Sequence, residues 1–119
     1  MKSSITALMA ITLLVSGCAT TSDLREGAPT LSVESAKSAR EVAACITEKW
    51  EKGGVFGMPL NIDTSILADG FSIILRNSTT VQLMADVKEN GSGSTTKVYK
   101  PGFIGGVGKL ETAVSDCQK

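Results

Sequence analysis

Three features of this 119-residue chain predict an α+β domain of two layers, built as helix, three-stranded antiparallel meander, helix. Two stretches repeat apolar residues at spacings of three and four. Between them, Val81, Leu83, Ala85 and Val87 alternate with Gln82, Met84, Asp86 and Lys88, the clearest period-two pattern in the chain. Turn-forming residues flank that run on both sides.

The first stretch predicts a helix over 33–52. Ala36, Ala39, Ala43, Ile46 and Trp50 form its apolar stripe, widened by Val42, while Lys37, Arg40, Glu41, Glu48 and Lys49 lie mainly outside it. Ser32 is placed to cap it, with Glu34 in its first turn. Lys49 and Lys52 suit the negative end of the helix, and Gly53-Gly54 stops it. Trp50, at the end of the stripe, reads as a lid on the core. The next residues, Val55 to Asp69, carry no clean period. Ile62, Ile66 and Leu67 suggest packing on the core as a strand or a short turn of helix.

The meander begins with Phe71, Ile73 and Leu75, alternating with Ser72 and Arg76. Asn77-Ser78 suggests a hairpin into the Val81 run, and Glu89-Asn90-Gly91 a second one into Ser94–Lys100. That last strand is polar and reads as an edge, its Lys97 and Lys100 discouraging further pairing. After Pro101-Gly102, the positions Phe103, Val107, Leu110, Val114 and Cys117 predict a helix over 106–117, weakened at its start by glycines.

Several chemistries are disfavoured. The chain has no histidine, which removes the usual base near neutral pH, the commonest zinc ligand and every Ser-His-Asp or Cys-His arrangement. Twelve basic and twelve acidic side chains balance, and no dense basic run offers itself to nucleic acid. The glycine-rich Gly102–Lys109 lacks the glycine and the Ser or Thr that a phosphate loop requires, since Phe103 and Leu110 stand there. Asp63 and Asp69 could share a cleft but read as loop and turn residues. The sequence therefore predicts no catalytic residue, metal site or cofactor, and no enzymatic activity.

The N-terminus differs in kind. Lys2 precedes an apolar run from Ile5 to Val15. As a helix that run spans roughly 16 Å, about half of a bilayer core, which suits a secretory signal and not a spanning helix. It ends in Val15-Ser16-Gly17-Cys18, which resembles the lipobox of bacterial lipoproteins: an aliphatic residue, two small ones, then cysteine. The resemblance covers the first eighteen residues and implies cleavage between Gly17 and Cys18, with diacylglycerol on the Cys18 sulfur and an acyl chain on the new amine. Several acyl chains make a stable anchor where one is marginal. Ala19, where an aspartate would imply retention, implies the outer membrane in lipoproteins of the enteric type, with the domain facing the periplasm.

The resulting organisation is a signal peptide at 1–17, a lipidated N-terminus and polar flexible tether at 18–31, and a small α+β domain at 32–119. Cys45 and Cys117, one in each predicted helix, remain once Cys18 is committed to lipid. In an oxidising compartment such a pair suggests a disulfide. The expected partners are the membrane, through lipid, and an envelope protein. The expected role is a non-catalytic interaction or scaffold module. Subunits of outer-membrane assembly machines are similar in size and also pair helices with a three-stranded sheet, although the helices here flank the strands in sequence. A phage-derived surface or exclusion lipoprotein is a further alternative.

Overall fold

The computed structural model describes residues 21–53, 61–77, 80–102 and 108–119. The signal segment, Gly17, Cys18, Phe103 and Val107 lie outside them. In chain order the described elements are α1 (Thr21–Glu26), β1 (Leu31–Ser35), α2 (Ala39–Lys52), β2 (Asn61–Leu67), β3 (Gly70–Asn77), β4 (Thr80–Glu89), β5 (Ser94–Tyr99) and α3 (Gly108–Asp116).

The chain is α+β and broadly two-layered, but its sheet has five strands, not three, in the order β1-β5-β4-β3-β2. Every neighbouring pair is antiparallel. The meander from Phe71 to Tyr99 forms the middle of the sheet, and two further strands complete its sides, β1 unexpected and β2 one of the two forms the sequence allowed. β1 takes Leu31–Ser35, where the sequence predicts the end of a tether and the start of a helix. With apolar residues only at Leu31 and Val33, it is too short to carry a convincing period. Of the stretch from Val55 to Asp69, the part up to residue 60 lies outside the described residues, and β2 forms an edge strand over Asn61–Leu67. Its mostly exposed side chains leave little alternation to detect. β5 is consequently not an edge, because β1 covers it along Leu31↔Val98 to Ser35↔Ser94.

The long helix starts six residues later than the predicted start at 33. Ser38, not Ser32, is the N-cap: its hydroxyl oxygen accepts from the Glu41 N–H at 3.2 Å. The Ala39 N–H donates to Glu89 Oε1 at 2.9 Å, so a second free amide at the helix start is satisfied from β4. Gly53 closes the helix with its N–H on the Trp50 carbonyl at 3.3 Å. Ala39, Val42, Ala43, Ile46 and Trp50 are buried, whereas Ala36 lies before the helix and is exposed. Between β4 and β5, Gly91 adopts a φ of 96°, where a side chain would be strained, and the Asn90 side chain accepts from the Gly93 N–H at 3.1 Å.

One face of the sheet lies under α2 and α3. Ile73, Leu75, Leu83, Ala85, Val87 and Val98 meet Val42, Ile46, Trp50, Leu110 and Val114 there in one apolar core. Trp50 is fully buried, and its indole N–H donates to the Leu110 carbonyl at 3.0 Å, tying the end of α2 to α3. Cys45 and Cys117 are disulfide-bonded with Cα atoms 5.7 Å apart, joining α2 to the residue just beyond α3. In the chain-entropy model a bond closing a loop of this length contributes about 4 kcal/mol.

Candidate functional site

The other face of the sheet carries the polar chemistry. Strand alternation places Ser72 and Ile74 of β3, Met84 and Asp86 of β4, and Lys97 and Tyr99 of β5 on this back face. Ser72, Asp86 and Lys97 stand side by side across three strands, and Ile74, Met84 and Tyr99 form the next row. The second row is apolar and buried, together with Val81. Val81 joins this face because the β3–β4 register shifts between Leu75 and Arg76.

α1 lies against this face. Leu24 packs on the Ile74, Val81, Met84 and Tyr99 cluster. The next residue, Arg25, reaches Asp86 with two hydrogen bonds, Nε to Oδ2 at 2.6 Å and Nη2 to Oδ1 at 3.1 Å. The same Nη2 donates to Ser72 Oγ at 3.1 Å. The Asp86 side chain is only 5% exposed, so its charge is withdrawn from water and met by a planar fork of matching geometry. The hydrogen bond with Asp86 raises the Arg25 pKa, against the opposing effect of burial. Burial also pushes the Tyr99 hydroxyl upward, and the nearby Asp86 charge adds to it.

Beside the clamp lies a polar recess of about 430 Å³, lined by Arg25, Asp69, Asp86, Lys88, Lys97 and Tyr99 among others. Cations and carboxylates both line it, and Lys88 and Lys97 form no ion pair among the described residues. Asp63 lies elsewhere. It accepts from Arg76 Nε at 3.0 Å in the middle of β2, whereas Asp69 sits in the β2–β3 turn, where its backbone carbonyl accepts from the Glu89 N–H. Four steps along the strand separate Asp63 from Leu67 by roughly 13 Å, so Asp63 and Asp69 share no cleft.

The sequence signals for Cys45 and Cys117 lead to a real pair. Those for Arg25, Ser72 and Asp86 are weak. Arg25 stands in a stretch read as tether, and Asp86 occupies a position assigned to the solvent side of its strand. The available signal was Met84, and Ile74 before it: large apolar residues on a face expected to be wet. They imply that something covers that face. Among the described residues, no helix is long and apolar enough to cross a membrane.

Comparison of the chain with family models, with curated proteins and with solved structures returns no match.

Proposed function

We propose that this chain is a membrane-anchored envelope lipoprotein whose folded part is a non-catalytic interaction or scaffold module. Lipid on Cys18 holds it to the outer membrane with the domain in the periplasm. The observation that carries this reading is the pairing of Cys45 with Cys117. It suits an oxidising compartment and leaves Cys18 as the one remaining cysteine of three, at the end of an apolar run and in a lipobox-like setting.

The docking of α1 supports the same reading. Only Ala19 and Thr20 separate Cys18 from α1. Three extended steps reach about 10 Å. A tether of residues 18–31 would let the domain wander, whereas the Arg25–Asp86 clamp fixes the chain from α1 onward and holds the domain close to the anchor. The back face is then the part of the domain nearest the lipid.

Non-catalytic character is supported by the lack of histidine and by the use of carboxylates as structural partners: Asp86 for Arg25, Asp63 for Arg76, Glu89 for the α2 cap. Intact-mass measurement of membrane-extracted protein, before and after reduction and alkylation, tests the anchor. The expected mass is residues 18–119 plus diacylglycerol and one acyl chain, with two thiols labelled only after reduction. An unmodified Cys18 thiol would overturn the reading.

A further inference from the structure

We infer that the chain forms a two-fold dimer by pairing β2 edge to edge with β2 of a second copy. Among the described residues β2 ends the sheet on one side and pairs only with β3. Edge strands normally carry devices against pairing, such as lysine, proline or a bulge. β2 is seven residues long and has neither lysine nor proline, and the register irregularity of this sheet lies between β3 and β4. Its single charge, Asp63, is turned sideways onto Arg76. Ile66 is 84% exposed, the one large apolar side chain so exposed among the described residues. The opposite edge, β1, has five residues and carries Glu34.

The sequence of β2 complements itself in one register. Antiparallel pairing centred on Thr64 uses all seven residues. It sets Ile66 against Ile62 of the second copy on the helix side, twice over, and Asp63 against Ser65 on the back side. No like charges meet. Centring on Asp63 instead would oppose two carboxylates. Cross-strand apolar pairs of this kind are what stabilise sheets, and like charges directly opposite destabilise them.

The helix layer agrees. A groove of about 380 Å³ runs between α2 and β2, floored by Thr64 and Phe71. α2 presents Arg40 at one end of it, Ala44 and Thr47 in the middle, and Glu51 at the other end. Neither Arg40 nor Glu51 makes an ion pair within the described residues. A two-fold axis near Thr64 runs the two copies of α2 antiparallel, so Arg40 of each faces Glu51 of the other and Ala44 faces Thr47. The same axis is perpendicular to the sheet, which leaves both copies of α1 on one side. This last point suits two anchors in one membrane and rests on the lipoprotein reading; the pairing itself does not.

Cysteine crosslinking of the full chain in its native membrane tests the dimer. Thr64→Cys lies on the axis, and facing Cα atoms of an antiparallel pair are about 4.5–5.5 Å apart, within disulfide range. Mild oxidation is expected to give a crosslinked dimer from Thr64→Cys and none from Ser32→Cys on the other edge. The unmutated chain is the blank: a dimer from it reports a free Cys18, which would break the lipoprotein reading while leaving the β2 reading to the variants. In sedimentation of the detergent-extracted protein, Ile66→Asp should weaken self-association about tenfold or more, with the melting temperature unchanged at dilutions where the unmutated chain is monomeric. Arg40→Glu should weaken it too, and Arg40→Glu combined with Glu51→Arg should restore it. A monomeric wild type with no Thr64→Cys crosslink, or crosslinking at Ser32→Cys instead, would overturn the proposal.

Discussion

The two faces of the sheet solve different problems. The helix face is dry and apolar: Ile46, Trp50, Ile73, Leu83 and Val98 are fully or almost fully buried, and a covalent bond pins the helices above them. On the back face the Arg25–Asp86 pair and a small apolar patch lie beneath a helix of six residues. A dry core with a disulfide makes the domain stable. A clamp of one arginine on one aspartate adds less, but it is specific in angle and distance, so it fixes where the N-terminal segment lies. The contrast teaches that stability and orientation are separable here, and each can be attacked alone.

The largest effect is expected from the helix face. Replacing Cys45 and Cys117 with alanine, or reducing the bond, should lower the free energy of unfolding by about 4 kcal/mol, read from urea denaturation with and without reductant. If the loss is under about 1 kcal/mol, the helices are held by packing alone and the contrast between the faces narrows. Next comes the clamp. Arg25→Met strands a carboxylate that is 5% exposed, while a third of the Arg25 side chain remains in water, so a loss of about 1–3 kcal/mol is expected. The loss should be local. Amide exchange and proteolysis should rise at residues 21–30 and stay unchanged in α2. Uniform destabilisation would show that the back face belongs to the same cooperative unit as the front.

Tyr99 gives a smaller and pH-dependent effect. Its folded-state pKa is raised above the ordinary 10.0 by burial, and further by Asp86. The fold therefore favours the neutral phenol. Its contribution to stability is fully present below pH 10 and is lost as pH rises through the folded value. As the chain has one tyrosine, an ultraviolet titration of the phenolate reads it without interference, and the midpoint should lie above 10. Tyr99→Phe should flatten this part of the alkaline unfolding curve. The smallest effect belongs to the β2 surface pair: Asp63→Asn should change stability by less than about 1 kcal/mol, because Asp63 is 64% exposed.

Where burial is one-sided, residue patterns find the structure. The stripe Ala39, Val42, Ala43, Ile46 and Trp50 marks a helix because one side of α2 meets the core and the other meets water. The alternation from Val81 to Val87 marks a strand for the same reason. The disulfide follows from the cysteine count and the expected compartment. Patterns fail where burial is slight or two-sided. β2 is mostly exposed, so Ile62 and Ile66 stand too far apart to announce a strand. β1 is short, and Ser32 offered a plausible cap in the wrong place while the true cap, Ser38, lay inside the expected helix. On the back face, Asp86 looked like any solvent-side carboxylate. Its partner, Arg25, lies 61 positions away, and no local spacing can report that.

The pairing of β1 with β5 also sets an order of events in time. Leu31 finds its partner in Val98, so β1 has nothing to pair with until nearly the whole domain has been synthesised. At typical elongation rates that delay is several seconds or more, far longer than a hairpin such as β4–β5 needs to form. β1 is therefore made early and placed late, and closing it into the sheet is a non-local step of folding.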